Sequence, residues 1–304
     1  MDIISSFWNL VPVTLAQSLI VAFVVMGIML PFRILSFPDL TSEGAFPLGG
    51  CVCGVMLAAG FHPVLGMLLA VVCGFAAGCT TAFIHLRFRI NTLLAGILVM
   101  TMLYSINLRI MGRTNIALFT YDSLLKLLNP ALANNAYFKI AVVGSLVLAV
   151  FAAGYYFFTT ERGVTMRAVG AGADMAEAQG ISVWKATIVG VGVGGALSAL
   201  GGSIMVQSQG FADVNMGFGI LINGLAALII GESILGRSSV LRQLAAPILG
   251  AIIYYQLVSL CLSIGLAPAD LKLATGLFVL AMLALPQLGW RVPGGTPVRE
   301  TVRE

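Results

Sequence analysis

The chain has 304 residues, of which 59% are hydrophobic and only 9% are charged, and its formal net charge is +4. Soluble domains carry about 25% charged residues, so this composition excludes an ordinary soluble protein. The basic residues are few and scattered, which does not indicate a nucleic-acid partner. The chain is therefore predicted to be an integral membrane protein in contact with lipid.

Long apolar segments alternate with polar ones along the whole chain. A membrane-spanning helix needs about 20 apolar residues, and this criterion predicts an all-α polytopic bundle of about nine spans, within a range of eight to ten. The predicted spans are residues 11–32, 47–60, 64–86, 92–111, 138–158, 183–207, 217–231, 243–264 and 271–288. They form one transmembrane domain, residues 1–290, and the polar tail 291–304 is predicted to be disordered and cytoplasmic.

Two of the predicted spans are short, and each follows a polar interruption. Residues 36–47 contain two prolines and separate the first span from the second, and residues 207–217 stand between the sixth and the seventh. Short, interrupted helices at corresponding places in two halves are typical of an inverted repeat with a solute site near the middle of the membrane. The alternative is chance similarity over a few residues.

Polar groups at membrane depth are tolerated where they line a cavity. The polar side chains in and near the two interruptions are therefore candidates for a translocation path. They are Asp39, Thr41, Ser42, Glu43, Asn91, Asn107, Gln207, Gln209, Asn215 and Asn223. For Asp39 and Glu43 the alternative is a short hydrated loop at the cytoplasmic surface. Glu232 and Arg237 are predicted to form a pair near the end of the seventh span.

The apolar segment after residue 182 is unusually rich in glycine. Its glycines include Gly190, Gly194, Gly195, Gly201 and Gly202. Small residues allow membrane helices to approach closely, so we expect these positions to serve helix packing. Tight packing would also transmit a movement from the preceding loop to the core.

Residues 161–182 form the longest charged interval between two apolar segments. Ala, Glu, Gln and Met within it favour helix, and Gly180 is suited to ending a short one. Two interpretations are open. The segment is either a helical surface that a soluble partner binds or a solvated loop that only sets topology.

Several motifs resemble those of permease subunits of ATP-binding-cassette importers, in particular the branched-chain amino-acid and ribose type. The motifs are Arg-Ala-Val at 167–169, Ala-Glu-Ala-Gln-Gly-Ile at 176–181 and Gly-Gly-Ala-Leu-Ser-Ala-Leu-Gly-Gly at 194–202. Residues 34–41, 94–101 and 107–113 are similar to a subgroup linked to amino acids, including aromatic ones. The substrate alternatives are a sugar or a nucleoside.

The resemblance implies a non-catalytic subunit that forms the path for a small polar solute. ATP and Mg²⁺ would be bound by the partner ATPase, and this chain would bind no cofactor. The implied partners are a second permease copy or paralogue, two ATPase subunits and an extracytoplasmic solute-binding protein. The residues expected to couple this chain to the ATPase are Arg162, Arg167, Ala176, Glu177 and Gly180.

The sequence predicts no catalytic residue and no metal site. It contains no phosphate-binding glycine-lysine motif, and His62 and His85 have no second ligand nearby in the chain. The five cysteines lie in apolar runs without zinc-site spacing. The rival hypothesis is a stand-alone ion-coupled transporter or channel, in which Asp39 or Asp213 would serve as the intramembrane carboxylate.

The basic residues also predict an orientation. Placing residues 161–182 in the cytoplasm and counting nine spans puts eleven of the 16 Lys and Arg residues on the cytoplasmic side. This is the bias that the positive-inside rule requires. The expectation is a multi-pass protein of the bacterial inner membrane, with its N-terminus outside, its C-terminus in the cytoplasm and no cleaved signal peptide.

Overall fold

The computed structural model describes residues 3–133 and 135–265, together with residues 270, 273, 275–277 and 280. The predicted ninth span and tail lie outside these residues, apart from the single positions named. The helices are α1 (Ile3–Met29), α2 (Thr41–Ala58), α3 (Pro63–Phe88), α4 (Thr92–Met111), α5 (Leu124–Leu128), α6 (Ala136–Thr159), α7 (Glu161–Ala171), α8 (Ala173–Ala178), α9 (Val183–Gln209), α10 (Ile220–Leu235) and α11 (Val240–Ser263). A π-helical turn (Leu30–Ile34) prolongs α1, and a 3-10 turn (Val214–Gly217) precedes α10.

The predicted polytopic helical bundle is confirmed. Within the described residues, seven segments are long and apolar enough to cross a membrane. The second predicted span, residues 47–60, is not among these seven; it corresponds to α2, which has 18 residues, most of them buried. Two strands were not predicted: β1 (Asn115–Ala117) and β2 (Phe211–Asp213) pair antiparallel and join segments that lie about 95 residues apart in the chain.

Several of the long helices begin at a short polar residue whose side chain accepts a hydrogen bond from the first helical turn. The Asn91 side chain accepts a hydrogen bond from the Leu93 N–H at the start of α4, and Ser182 caps α9 in the same way. Each such bond satisfies one of the N–H groups that have no partner in the first helical turn. The helix boundaries therefore follow from local chemistry.

The boundaries of the two short helices differ from those predicted. Helix α2 begins at Thr41, so Ser42 and Glu43 are helical and the first interruption is only residues 35–40. Pro47 lies inside α2, where its missing N–H leaves the Glu43 carbonyl without its helical partner. Gly217 packs against this carbonyl and against the Pro47 ring. Helix α10 begins three residues later than predicted and continues to Leu235.

The packing partners of the helices fall into two matching sets. Helix α9 packs against α1, α2 and α3, while α1 packs against α9, α10 and α11. In addition, α2 packs on α3, and α10 packs on α11. Gly27 lies beside Gly194 and Val24 lies beside Gly201, so α1 and α9 run antiparallel. Exchanging α1 with α9, α2 with α10 and α3 with α11 preserves these relations, which supports the hypothesis of an inverted repeat.

The bundle has two distinct ends. We call the end that carries α7 and α8 the loop end, and the end that carries β1 and β2 the sheet end. The predicted cytoplasmic basic residues in the described part lie at the loop end: Arg33, Arg87, Arg89, Arg162, Arg167, Lys185, Arg237 and Arg242. Arg109, Arg113, Lys126 and Lys139 lie at the sheet end.

Candidate translocation path and coupling surface

The first interruption, residues 35–40, is a short turn inside the bundle. Oδ1 of Asp39 accepts hydrogen bonds from the backbone N–H and the hydroxyl of Thr41. The Thr41 hydroxyl lies 2.6 Å from the hydroxyl of Thr81 on α3. Asp39 is only 2% exposed, so the interpretation of a hydrated loop is wrong for this residue. The turn is a hydrogen-bonded connection between α1 and α2 that buries Asp39 and leaves Ser36 and Pro38 exposed.

The second interruption, residues 210–219, re-enters the bundle as strand β2 and a 3-10 turn without any α-helix. Gly210 ends α9 with φ 78° and Gly219 precedes α10 with φ 83°, a region that favours glycine. From Ala212, beside Gly54, the segment runs back along α2 to Gly217, beside Glu43. Eleven helical residues separate these two positions on α2, so the segment descends by about 16 Å. Helix α10 therefore begins inside the bundle.

The two interruptions meet at Glu43. Its Oε1 atom accepts a hydrogen bond of 2.7 Å from the N–H of Gly219. Its neighbour Gly44 packs against Met100 and Leu103, which lie near the middle of the 20-residue helix α4. Glu43 consequently lies about halfway through the bundle.

A shallow pocket lies beside this meeting point, and its empty space of about 250 Å³ includes open solvent. Its walls include Glu43 and Pro47 of α2, Tyr104 and Asn107 of α4, and Phe218 of the re-entrant segment. The Asn107 Nδ2 group donates to the Gly44 carbonyl at 3.4 Å, and its Oδ1 atom is buried without a partner. The rings of Tyr104 and Phe218 are 6.3 Å apart with an angle of 37° between their planes.

The ten candidate path residues therefore do not form one group. Glu43 and Asn107 line the pocket, Asp39 is buried in the adjoining turn, and Thr41 and Ser42 are buried at the start of α2. Gln207 accepts a hydrogen bond from the Leu124 N–H, and Asn223 accepts one from the Tyr254 hydroxyl. Asn91 caps α4 at the loop end, while Gln209 and Asn215 are exposed near and on the re-entrant segment.

Sequence reasoning missed the two aromatic residues of the pocket, Tyr104 and Phe218. Phe218 directly follows the interruption predicted at residues 207–217, and Tyr104 lies three positions before Asn107 on α4. Residues three apart share a helix face. A search for aromatic residues at that spacing from polar residues within spans could have found Tyr104.

The five predicted packing glycines place α9 against three neighbouring helices and the π-helical turn. A side chain at any of them would collide with a neighbour: Gly190 with Leu35, Gly194 with Gly27, Gly195 with Gly74, Gly201 with Val24 and Gly202 with Phe46. Helix α9 therefore fixes the positions of α1, α2 and α3 by close backbone contacts.

The predicted coupling segment consists of two helices, α7 and α8, which are separated at Gly172. Helix α8 ends with hydrogen bonds from the Gly180 N–H to Glu177 and from the Ile181 N–H to Ala176. This is a Schellman motif, and Gly180 adopts the left-handed conformation that it requires. Gly180 therefore ends α8, as the sequence predicts.

The five predicted coupling residues differ in their exposure. Arg162, Glu177 and Gly180 are exposed, whereas Ala176 is buried. Arg167 is half-buried and donates to the Phe158 carbonyl at 3.3 Å. The most exposed large apolar residue of the segment is Met175 of α8, with 75% of its surface accessible. The segment thus presents a mixed polar and apolar surface at the loop end, and we call it the α7–α8 surface.

Helix α7 docks directly on the first interruption. The Ser36 hydroxyl donates to the Gly170 carbonyl at 3.0 Å, and Gly170 lies against the Ile34 carbonyl so closely that no side chain could fit. Nearby, the Glu232 carboxylate binds Arg237 at 2.7 Å, which confirms that predicted pair, and also binds Arg33 at 2.9 Å. The α7–α8 surface is therefore connected to the chain segment that leads to Glu43.

The described residues contain no group of three His, Cys, Asp or Glu side chains that could hold a metal ion. A helical bundle with seven membrane-length apolar segments among the described residues, two broken helices and a docked surface at one end defines a polytopic membrane protein. The chain belongs to the family described as branched-chain amino acid transport system / permease component, which matches residues 12–285.

Two of the chain's relatives are named as transport proteins. The chain is 36% identical to a tyrosine transport system permease protein of Clostridioides difficile, over 90% of each chain. It is 31% identical to an uncharacterized protein of Rickettsia prowazekii, over 91% of this chain and 97% of that one. A fructose import permease protein of Bifidobacterium longum is 26% identical over 55% of this chain and 48% of its own length. No solved structure matches the chain at a significant level.

Proposed function

We propose that this chain forms the transmembrane path of an ATP-binding-cassette importer for an amino acid. The observation that carries the proposal is the continuous connection from the α7–α8 surface, through Gly170 and Ser36, to the first interruption, which leads into α2 and to Glu43 in its first turn. A separate ATPase that moves this surface would act directly on the pocket. The family membership supports the same function.

The choice of an amino acid over a sugar rests on the relatives. The similarity to the tyrosine permease covers 90% of the chain, whereas the similarity to the fructose permease covers 55%. Sequence similarity over nearly the whole length favours the amino acid. Sugars and nucleosides remain the alternatives that transport measurements would distinguish.

The proposed assembly contains two permease chains, two ATPase subunits that bind ATP and Mg²⁺, and an extracytoplasmic solute-binding protein. The loop end faces the cytoplasm of a bacterium, with the N-terminus outside and the C-terminus inside, because that end carries most of the basic residues. ATP binding would shift α7 and α8 and alternate the access of the pocket between the two sides. This chain acts as a non-catalytic subunit.

The test begins with purification of the tagged chain from its native cells in mild detergent, followed by mass spectrometry. We expect an ATPase in stoichiometric amount, and ATP-driven uptake of L-tyrosine after reconstitution with the solute-binding protein. Recovery of the chain alone, together with flux driven by an ion gradient, would contradict the proposal. It would direct attention to Asp39 and Asp213 as ion-coupling residues.

A substitution on α8 tests the coupling surface. Met175→Glu should abolish co-purification of the ATPase, because it places a charge on the exposed apolar part of the α7–α8 surface. Met175→Leu keeps the apolar contact and should retain the ATPase. Arg167→Glu and Glu177→Pro should also uncouple transport, but Arg167 additionally holds the Phe158 carbonyl, so Met175 is the cleaner site. Normal ATP-driven uptake by Met175→Glu would refute the assignment.

A further inference from the structure

Glu43 is an acidic residue without a counter-charge in the part of the chain that the structure describes. The ion pairs found there join Glu232 to Arg33 and Arg237, and neither involves Glu43. A charged group at membrane depth is costly unless it is paired or faces a water-filled cavity. One Glu43 oxygen accepts the Gly219 N–H, and a carboxylate can accept several further hydrogen bonds. This residue is therefore suited to binding a cation.

Asn107 supplies a second acceptor in the same pocket. It is 0% exposed, its amide nitrogen already donates to the Gly44 carbonyl, and its Oδ1 atom has no partner. Leaving a buried acceptor unpaired costs about 1–3 kcal/mol, so a bound donor would recover that energy. The unpaired oxygens of Glu43 and Asn107 can only accept hydrogen bonds, which favours a ligand with several N–H donors.

Aromatic rings border these two acceptors. Tyr104 and Phe218 form a tilted pair, and 41% and 59% of their surfaces are exposed. Aromatic faces attract cations and pack against other rings. The pocket consequently combines acceptors for a positive charge with a surface for a flat apolar side chain.

We propose that this pocket is a solute site that recognises the primary ammonium group of an aromatic amino acid. Glu43 and Asn107 accept hydrogen bonds from the ammonium, and Tyr104 and Phe218 contact the aromatic ring. A sugar hydroxyl can reach the same acceptors, but it leaves the carboxylate without a counter-charge. The inference rests on the proposed function, and it adds that the permease itself selects the solute after the solute-binding protein releases it.

The test measures binding to the purified full-length chain in detergent by saturation-transfer-difference NMR. Four probes separate the chemical groups: L-tyrosine, tyramine (which lacks the carboxylate), 3-(4-hydroxyphenyl)propionate (which lacks the ammonium) and fructose. We expect binding of L-tyrosine and tyramine only. Binding of the propionate or of fructose as strong as that of tyramine, or no binding of L-tyrosine and tyramine, would overturn the proposal.

Two variants assign the binding to the pocket. Glu43→Gln keeps an oxygen acceptor for the Gly219 N–H and removes the charge, so the affinity for tyramine should fall about tenfold or more. The matched control Glu161→Gln alters an exposed carboxylate of α7 and should bind tyramine like the wild type. If Glu43→Gln does not fold, Asn107→Leu is the second variant, with an expected loss of about fivefold or more.

These outcomes separate the inference from the proposed function. Unchanged tyramine binding by Glu43→Gln or Asn107→Leu would refute the ammonium site, even if the wild type shows ATP-driven uptake of L-tyrosine. Conversely, the absence of ATP-driven uptake in the wild type would refute the importer, whatever the binding measurements show.

Discussion

The two interruptions that flank the pocket are built differently. The first, residues 35–40, buries Leu35, Phe37 and Asp39, is held by the hydrogen bonds of Asp39, and contacts α7 through the exposed Ser36 at the loop end. The second, residues 210–219, is longer, contains β2, and is bound to β1 at the sheet end. Each interruption therefore connects the pocket to a different end of the bundle. Because they meet at the hydrogen bond between Glu43 and Gly219, a movement at either end can reach the same place.

The difference has a chemical basis in the residues at each turn. Pro38 cannot donate a backbone hydrogen bond, and the Asp39 carboxylate caps the chain so that α2 restarts within six residues. Gly210 and Gly219 adopt left-handed conformations, which allow the second segment to reverse and run back as the short strand β2 followed by a 3-10 turn. We therefore expect the first interruption to be the more rigid of the two, and the longer second segment to move more easily.

The largest loss of stability is expected where α9 crosses α2, because α2 lies between the two interruptions. Gly202 of α9 lies against the Phe46 carbonyl of α2, and a side chain there would push the two helices apart. Gly202→Val should lower the free energy of unfolding by about 3 kcal/mol and abolish transport. The control Gly144→Ala adds a methyl group that meets only Leu19, at 3.7 Å. Thermal unfolding in detergent compares the two; equal stability would contradict the proposed crossing.

The next effect concerns the link between the α7–α8 surface and the first interruption. Gly170→Ala would push α7 away from the Ile34 carbonyl, and ATP-driven uptake should fall about tenfold or more. The neighbouring Gly172→Ala is the control, because its new methyl group would meet only Met175, at 3.9 Å. Uptake by Gly170→Ala at the wild-type rate would show that this contact does not transmit the movement.

A smaller effect is expected for the hydrogen bonds that close the first interruption. Thr81→Val removes the hydroxyl that lies beside Thr41 and should destabilise the fold by about 1.5 kcal/mol. Thr80→Val is a matched control on the same helix, since the exposed Thr80 hydroxyl bonds only the Ala76 carbonyl of α3. The comparison uses unfolding in detergent, and an equal loss in both variants would mean that the buried bond has no special role.

The smallest effect is expected in the second interruption. Asp213 caps the 3-10 turn by accepting from the Asn215 N–H at 2.8 Å, but it is partly exposed. Asp213→Ala should therefore cost only about 0.5 kcal/mol, while the exposed Asp122→Ala should cost less. A loss for Asp213→Ala larger than that for Thr81→Val would reverse the inferred order of rigidity between the two interruptions.

Many features could be predicted because they depend on local chemistry. Apolar composition determined the helical bundle, and Asn91 and Ser182 stand where helices begin. Gly180 ends α8, and Glu232 pairs with Arg237 only five residues away. The two interruptions were recognisable from proline, glycine and polar residues. Each of these signals lies within one or two helical turns of its effect, so the sequence determines it directly.

Other features were decided by contacts between distant segments. Gly217 packs against the Pro47 ring and the Glu43 carbonyl, which Pro47 leaves unpaired inside α2. Strand β1 forms because β2 lies beside it. Glu43 and Asn107 share a pocket, whereas Gln207 and Asn223 satisfy other groups, although all four looked alike as polar residues near spans. Burial and hydrogen-bond partners depend on which helices meet, and a local pattern carries no information about that. The pocket is therefore a product of the tertiary structure.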